Sequence, residues 1–163
     1  MLILLKKIKY KINDLFVKLL IKFSLFLNWP YLAAIAFWLA ASRINPKCRS
    51  NYTVLCMGRS VFIDDLNAMG TYSGRIKYVV IWRTYFQMVL HYFIKGPEEK
   101  KLTEENYHVS NFCFKGRQRY YLYLKKMFPY LHRWLNFDAV FSGNFAYVEH
   151  QELMRVSEEN KVP

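Results

Sequence analysis

Three short apolar runs, each followed by a stretch of helix length, limit what this chain can fold into. The first is Tyr52 to Met57, closed by Gly58, the second Ile76 to Ile81, and the third Phe137 to Ser142, leading into Gly143-Asn144. Their β-branched and aromatic content predicts strands. Between and after them the pattern predicts helices. One runs from Val61 to Met69, with Ser60 as N-cap and Asp64 and Asp65 in its first turns. A second runs from Thr84 to Ile94 and is entered through a Thr cap. A third, Arg117 to Leu135, opens at Gly116 and is kinked or broken at Pro129, and a fourth spans Phe145 to Glu159. Residues 96–114 are polar and poorly periodic and read as a long loop, with a short strand near Val109. Strands alternating with helices at this spacing imply a parallel sheet with right-handed crossovers. The expected fold is therefore an α/β, Rossmann-like three-layer domain with a short parallel sheet over residues 50–163. The last helix runs out into Asn160-Lys161-Val162-Pro163, the usual approach to another buried strand. The domain is accordingly expected to be incomplete at its C-terminus.

Residues 1–44 form a different kind of segment, both amphipathic and apolar. Lys7, Lys11, Asp14, Lys18 and Lys22 recur every three or four residues, which aligns them on one face of a helix. Ile8, Ile12, Leu15, Phe16, Val17, Leu19, Leu20, Ile21 and Phe23 cover the other faces. Such a helix suits the headgroup plane of a bilayer, its lysines reaching phosphate and its apolar body sunk into the acyl boundary. From Phe23 to Ser42 there is no charge, but Pro30 breaks the run. The piece beyond it, Tyr31 to Ala41, is short against the roughly 20 residues that a membrane span needs. An interfacial or shallowly inserted helical hairpin is the favoured reading, with Trp29 and Trp38 joining the four lysines as membrane-binding residues. A single span, or packing of these helices on the protein's own or a partner's domain, are the alternatives.

Charge follows the same division. The net charge is +12, yet residues 1–49 hold nine Lys or Arg against the single Asp14. A cationic segment beside apolar sequence points to an anionic membrane surface rather than to nucleic acid. No zinc-finger, RNP-type or homeodomain pattern occurs. Cys48, Cys56 and Cys113 are odd in number and form no C-x-x-C pair, which argues against a disulfide framework and a cysteine metal site.

Two turns are candidate sites for a substrate or a phosphate. Gly58-Arg59-Ser60 offers backbone N–H groups at a helix start beside a guanidinium, a suitable anion seat that is also an ordinary strand-to-helix turn. Ser142-Gly143-Asn144 occupies the equivalent place after the third strand. Both belong to the carboxyl edge of a parallel sheet, where ligands gather. Neither is a dinucleotide or Walker fingerprint. Glu149, His150 and Glu152 have the chemistry of an acid–base or metal group, but their spacing matches no zinc motif and a solvated helix face explains them. His91, His108 and His132 lie among aromatics and read as structural. Lys115, Arg117, Arg119, Lys125, Lys126 and Arg133, interleaved with Tyr120, Tyr121 and Tyr123, fit a phosphate backbone, a membrane, or a solvated helix with a Tyr/Leu packing face.

Thr53 to Ser60 with the helix after it, and Phe137 to Phe145 leading on to Glu159 through Pro163, resemble the N-terminal lobe of GT-B glycosyltransferases of the bacterial surface-polysaccharide and lipid-linked glycan kind. The resemblance covers residues 50–163. It implies a lobe that holds a glycan or lipid-linked acceptor, with the nucleotide-sugar donor on a second lobe or partner chain that this sequence lacks. No cofactor is implied for this chain, and turnover by it alone is not expected. The resemblance also implies peripheral docking at the cytoplasmic face of the membrane through basic and aromatic N-terminal helices. A non-enzymatic membrane-surface adaptor or lipid-binding α/β module is the alternative.

Overall fold

The structure, a computed structural model, describes residues 2–44, 52–58, 64–66, 68, 75–94, 114–142 and 147–163. Its elements, in chain order, are α1 (Leu2–Phe26), α2 (Pro30–Ala40), β1 (Ser42–Ile44), β2 (Thr53–Gly58), β3 (Lys77–Trp82), α3 (Arg83–Phe93), α4 (Phe114–Leu135), β4 (Ala139–Phe141) and α5 (Val148–Glu159). Residues 64–66 are also helical.

The four strands form one sheet in the order β1-β3-β2-β4. β2 pairs in parallel with both β3 and β4, whereas β1 lies antiparallel along β3. The three expected strands are thus present and parallel. Ser42–Ile44 was not expected to be a strand and adds an antiparallel edge.

Register explains why β2 and β3 are apolar on both sides. Leu55 pairs with Val79 and Met57 with Ile81, and all four face the main core. Val54 pairs with Tyr78 and Cys56 with Val80, and these face a smaller cluster closed by Leu66. Residues 64–66 therefore cover one face, while α1 to α5 cover the other. From β2 the chain crosses to β3 in one direction and then back past β2 to β4 in the other. Crossovers of one hand that reverse direction must place their helices on opposite faces. The result is an α/β architecture compatible with a Rossmann-like fold.

The break at Pro30 is local chemistry. Asn28 takes a left-handed conformation (φ 48°), while Trp29 N–H donates to Ser24 O at 2.8 Å and Asn28 N–H to Leu25 O at 3.1 Å. These are the two bonds of a Schellman cap, which satisfies the last carbonyls of α1. Pro30 then sits in the first turn of α2, where its missing N–H costs nothing. α1 and α2 dock on the sheet domain as part of one hydrophobic core. Val17, Ile21 and Leu25 of α1 and Ala33, Ala34, Ala36 and Phe37 of α2 are buried together with Leu55, Val79 and Phe86. The alanines let α2 approach closely, and Phe37 meets Phe86 edge-on at 4.7 Å.

Two local expectations are corrected. Trp82, not Thr84, caps α3 and does so without a side-chain hydrogen bond, because β3 runs directly into the helix. α4 passes through Pro129 without breaking, held on both sides of it by buried Met127, Phe128 and Leu131. The expected loop and the strand near Val109 lie outside the described residues, apart from residue 114, which opens α4.

Candidate functional site

The sheet order places a topological switch at β2, whose neighbours β3 and β4 are reached by crossovers of opposite direction. In open α/β sheets ligands bind outside the carboxyl ends of the strands at such a point. Gly58 ends β2, and Ser142 follows β4 on the neighbouring strand, where Cys56 pairs with Phe141. The two candidate turns therefore start side by side at this edge. Arg59, Ser60, Gly143 and Asn144 lie outside the described residues.

α5 starts at the same edge and brings in a polar cluster. Glu149, His150 and Glu152 are 0 %, 1 % and 1 % exposed, which corrects the solvated-face reading. Each has a partner supplied by the fold. Arg83, the first residue of α3, donates from Nε to Glu149, and its guanidinium lies 3.8 Å from the ring centre of Tyr147. Arg117 in the first turn of α4 donates from Nε to Glu152 and from Nη2 to Gln151 Oε1 at 2.9 Å. The buried Ser142 hydroxyl is in hydrogen-bond contact with His150 Nδ1. Glu149 also lies in the first turn of α5, where a negative charge complements the helix dipole.

Burying these charges costs several kcal/mol per ion before pairing, so the two arginines and two glutamates are best understood as partners that hold α3, α4 and α5 in register. Among the described residues, the Ser142–His150 pair is what remains for chemistry at this edge. An imidazole in direct contact with a hydroxyl at the ligand edge is suited to proton transfer. Sequence reasoning picked out Ser142 by its position, but it missed His150 as Ser142's partner. Among the described residues no group of three His, Cys, Asp or Glu side chains is placed to hold a metal ion. Cys56 is buried in the sheet and its thiol is pushed up to about 12 by that burial, so it is an inert packing group.

The membrane-binding candidates sit elsewhere, on α1 and α2. Lys11 and Lys22 are exposed. Lys18 is partly exposed and bridges Asp14 at 2.6 Å, and Asp14 in turn accepts from Tyr85 Oη at 2.8 Å. Burial alone pushes the Asp14 carboxyl up, but these two hydrogen bonds outweigh it and hold it below the usual carboxylate range. Trp29 and Trp38 are about half exposed. Lys7 belongs to α1, and its side chain lies outside the described residues.

One exposed stripe of α1 is apolar. Ile12, Leu15, Phe16, Leu19, Phe23 and Phe26 are 51–78 % exposed and recur at helical spacing on one stripe, with Lys11 and Lys22 on its border. Past the end of α1 the surface continues into Trp29, Tyr31, Tyr130 and Trp134, with Tyr31 edge-on to Tyr130 at 5.1 Å and to Trp134 at 5.2 Å. No helix among the described residues is long and apolar enough to cross a membrane.

Comparison of the chain with protein-family models, with curated proteins and with solved structures gave no match in any of the three.

Proposed function

We propose that this protein works at a membrane surface as a glycosyltransferase-like N-terminal lobe, docking through α1 and α2 and offering the carboxyl edge of its sheet to a glycan or lipid-linked acceptor. The observation that carries the reading is the stripe of six large apolar side chains left in solvent on a helix whose opposite face is already buried. Fully removing such a side chain from water gains about 1.5–3 kcal/mol, so a bilayer interface is a strong sink for this face. Lys11 and Lys22 add attraction to anionic lipid. The Ser142–His150 pair at the switch point supports the acceptor half, with the hydroxyl of an acceptor sugar as the natural proton donor there. The nucleotide-sugar belongs to a second lobe or partner chain.

Flotation on vesicles tests the docking. The protein is expected to float with phosphatidylglycerol-containing vesicles, Lys11→Glu with Lys22→Glu to lose the preference for anionic lipid, and Leu19→Ser with Phe23→Ser to lose flotation altogether. Unchanged flotation of the last pair would overturn the reading.

The non-enzymatic adaptor reading is favoured by one observation, the engagement of both Arg83 and Arg117 by buried carboxylates. Titration with a soluble short-chain prenyl-phosphate glycan, followed by the ring resonances of His150, separates the two. Perturbation of His150 supports an acceptor site, and silence with intact vesicle binding supports the adaptor.

A further inference from the structure

A cavity of about 360 Å³ opens where the end of α1, the end of α3 and the middle of α4 meet. Its walls divide by chemistry. Leu25 and Phe26 of α1, Phe93 of α3 and the ring of Tyr123 on α4 form an apolar floor, while Arg119 and Lys126 of α4 stand on the rim. Arg119 and Lys126 are seven residues apart, two turns along one helix face, with Leu122 between them about half exposed.

Of the other cations of α4, Lys115 and Arg133 are exposed but do not line the cavity, and two more are engaged by carboxylates. Arg117 holds Glu152, and Lys125 holds Glu159 at 2.8 Å. Arg119 and Lys126 are exposed, and neither has an ion pair among the described residues. Among the described residues no acidic side chain lines the cavity. Tyr123 Oη donates to Ser24 Oγ at 3.0 Å and ties α4 to the last turns of α1 beside this floor. Phe26 belongs both to this floor and to the exposed stripe of α1, so the cavity opens beside the surface assigned above to the bilayer.

Two cations over an apolar trough at the edge of a membrane-facing helix complement one kind of ligand, an anionic lipid. We propose that this cavity seats a single anionic phospholipid, its phosphate between Arg119 and Lys126 and the upper part of an acyl chain along Leu25, Phe26 and Tyr123. The inference rests on the docking of α1 at a membrane and adds to it a specific lipid site on the α/β domain. It also gives the N-terminal helices and α4 a common partner, so that lipid fixes how the sheet edge is presented to the membrane.

The test compares flotation of the intact protein, of Arg119→Gln with Lys126→Gln, and of Arg75→Gln with Lys161→Gln, which removes the same charge from exposed positions outside the cavity. Vesicles are phosphatidylcholine alone or with phosphatidylglycerol. A basic residue near an anionic surface contributes about 1 kcal/mol, so the cavity pair should weaken binding to the mixed vesicles about thirtyfold and the distant pair by less than about threefold. Equal losses in the two pairs would mean diffuse charge attraction and would overturn the seat. Glycerol phosphate in millimolar excess should leave flotation unchanged, whereas displacement by it would mean a soluble-phosphate site and would equally overturn the lipid. If the unaltered protein floats and only the Arg119/Lys126 comparison fails, the docking reading stands without this site. If it floats on no vesicle, both fall together.

Discussion

Glu149 and Arg83 show at the scale of single residues how the candidate site is held. Glu149 is fully buried against a guanidinium that comes from 66 residues away, and Glu152 against one from 35 residues away. Removing one partner of a buried pair strands the other charge, which costs about 3–5 kcal/mol, whereas replacing both by apolar side chains is often near neutral. Glu149→Ala is therefore expected to lower stability by about 3–5 kcal/mol in chemical denaturation, and Arg83→Met with Glu149→Leu to recover most of it. Equal losses in the two would show that the pair does more than compensate charge. Asp14 gives a pH-dependent counterpart. Its folded value is depressed, so its contribution is complete above the ordinary value of 3.8 and is lost as pH falls through the lower folded one. The stability difference between the protein and Asp14→Asn should accordingly shrink to nothing on acidification through that window. Apart from the i,i+4 pair of Asp14 with Lys18, none of these partnerships was legible in the sequence. Spacing along α5 shows which residues share a helix but not which distant arginine will cover them, and a run of Glu, His, Gln and Glu at a helix start looks the same whether solvated or buried.

At the scale of elements, the parts that announced themselves were those governed by local chemistry. The positions of β2, β3 and the break at Pro30 follow from β-branched runs and from the conformational limits of proline. β1 was hidden because three residues, Ser42–Ile44, carry no periodicity, and they become a strand only by pairing with β3. The faces of α1 were half legible. The lysine register marked a polar stripe, but apolar residues surround the rest of the helix, and only the packing of Val17, Ile21 and Leu25 shows which of them are core. Pro129 is the element-scale surprise. It lies exposed inside α4, where it removes one backbone hydrogen bond and crowds the preceding turn. Pro129→Ala should therefore raise stability by about 1–3 kcal/mol in denaturant titration, and a loss would show that a bend at Pro129 is needed for packing.

On the scale of the whole molecule, the sheet gathers its polar chemistry at the carboxyl edge, around Ser142 and His150, and leaves an apolar surface on the helical layer at α1. The two features are rigidly joined, since α1 shares its core with β2 and β3. A membrane bound by α1 would thus hold the candidate site at a fixed attitude to the lipid headgroups, a suitable arrangement for an acceptor anchored in that membrane. The most direct test places an environment-sensitive fluorophore at single cysteines, at Leu15, Leu19 and Phe23 on the stripe and at Asn160 beyond α5, with Cys48, Cys56 and Cys113 replaced by alanine. On adding phosphatidylglycerol-containing vesicles, emission from the three stripe positions should shift to the blue while Asn160 stays unchanged. No shift on the stripe, or an equal shift at Asn160, would contradict the account.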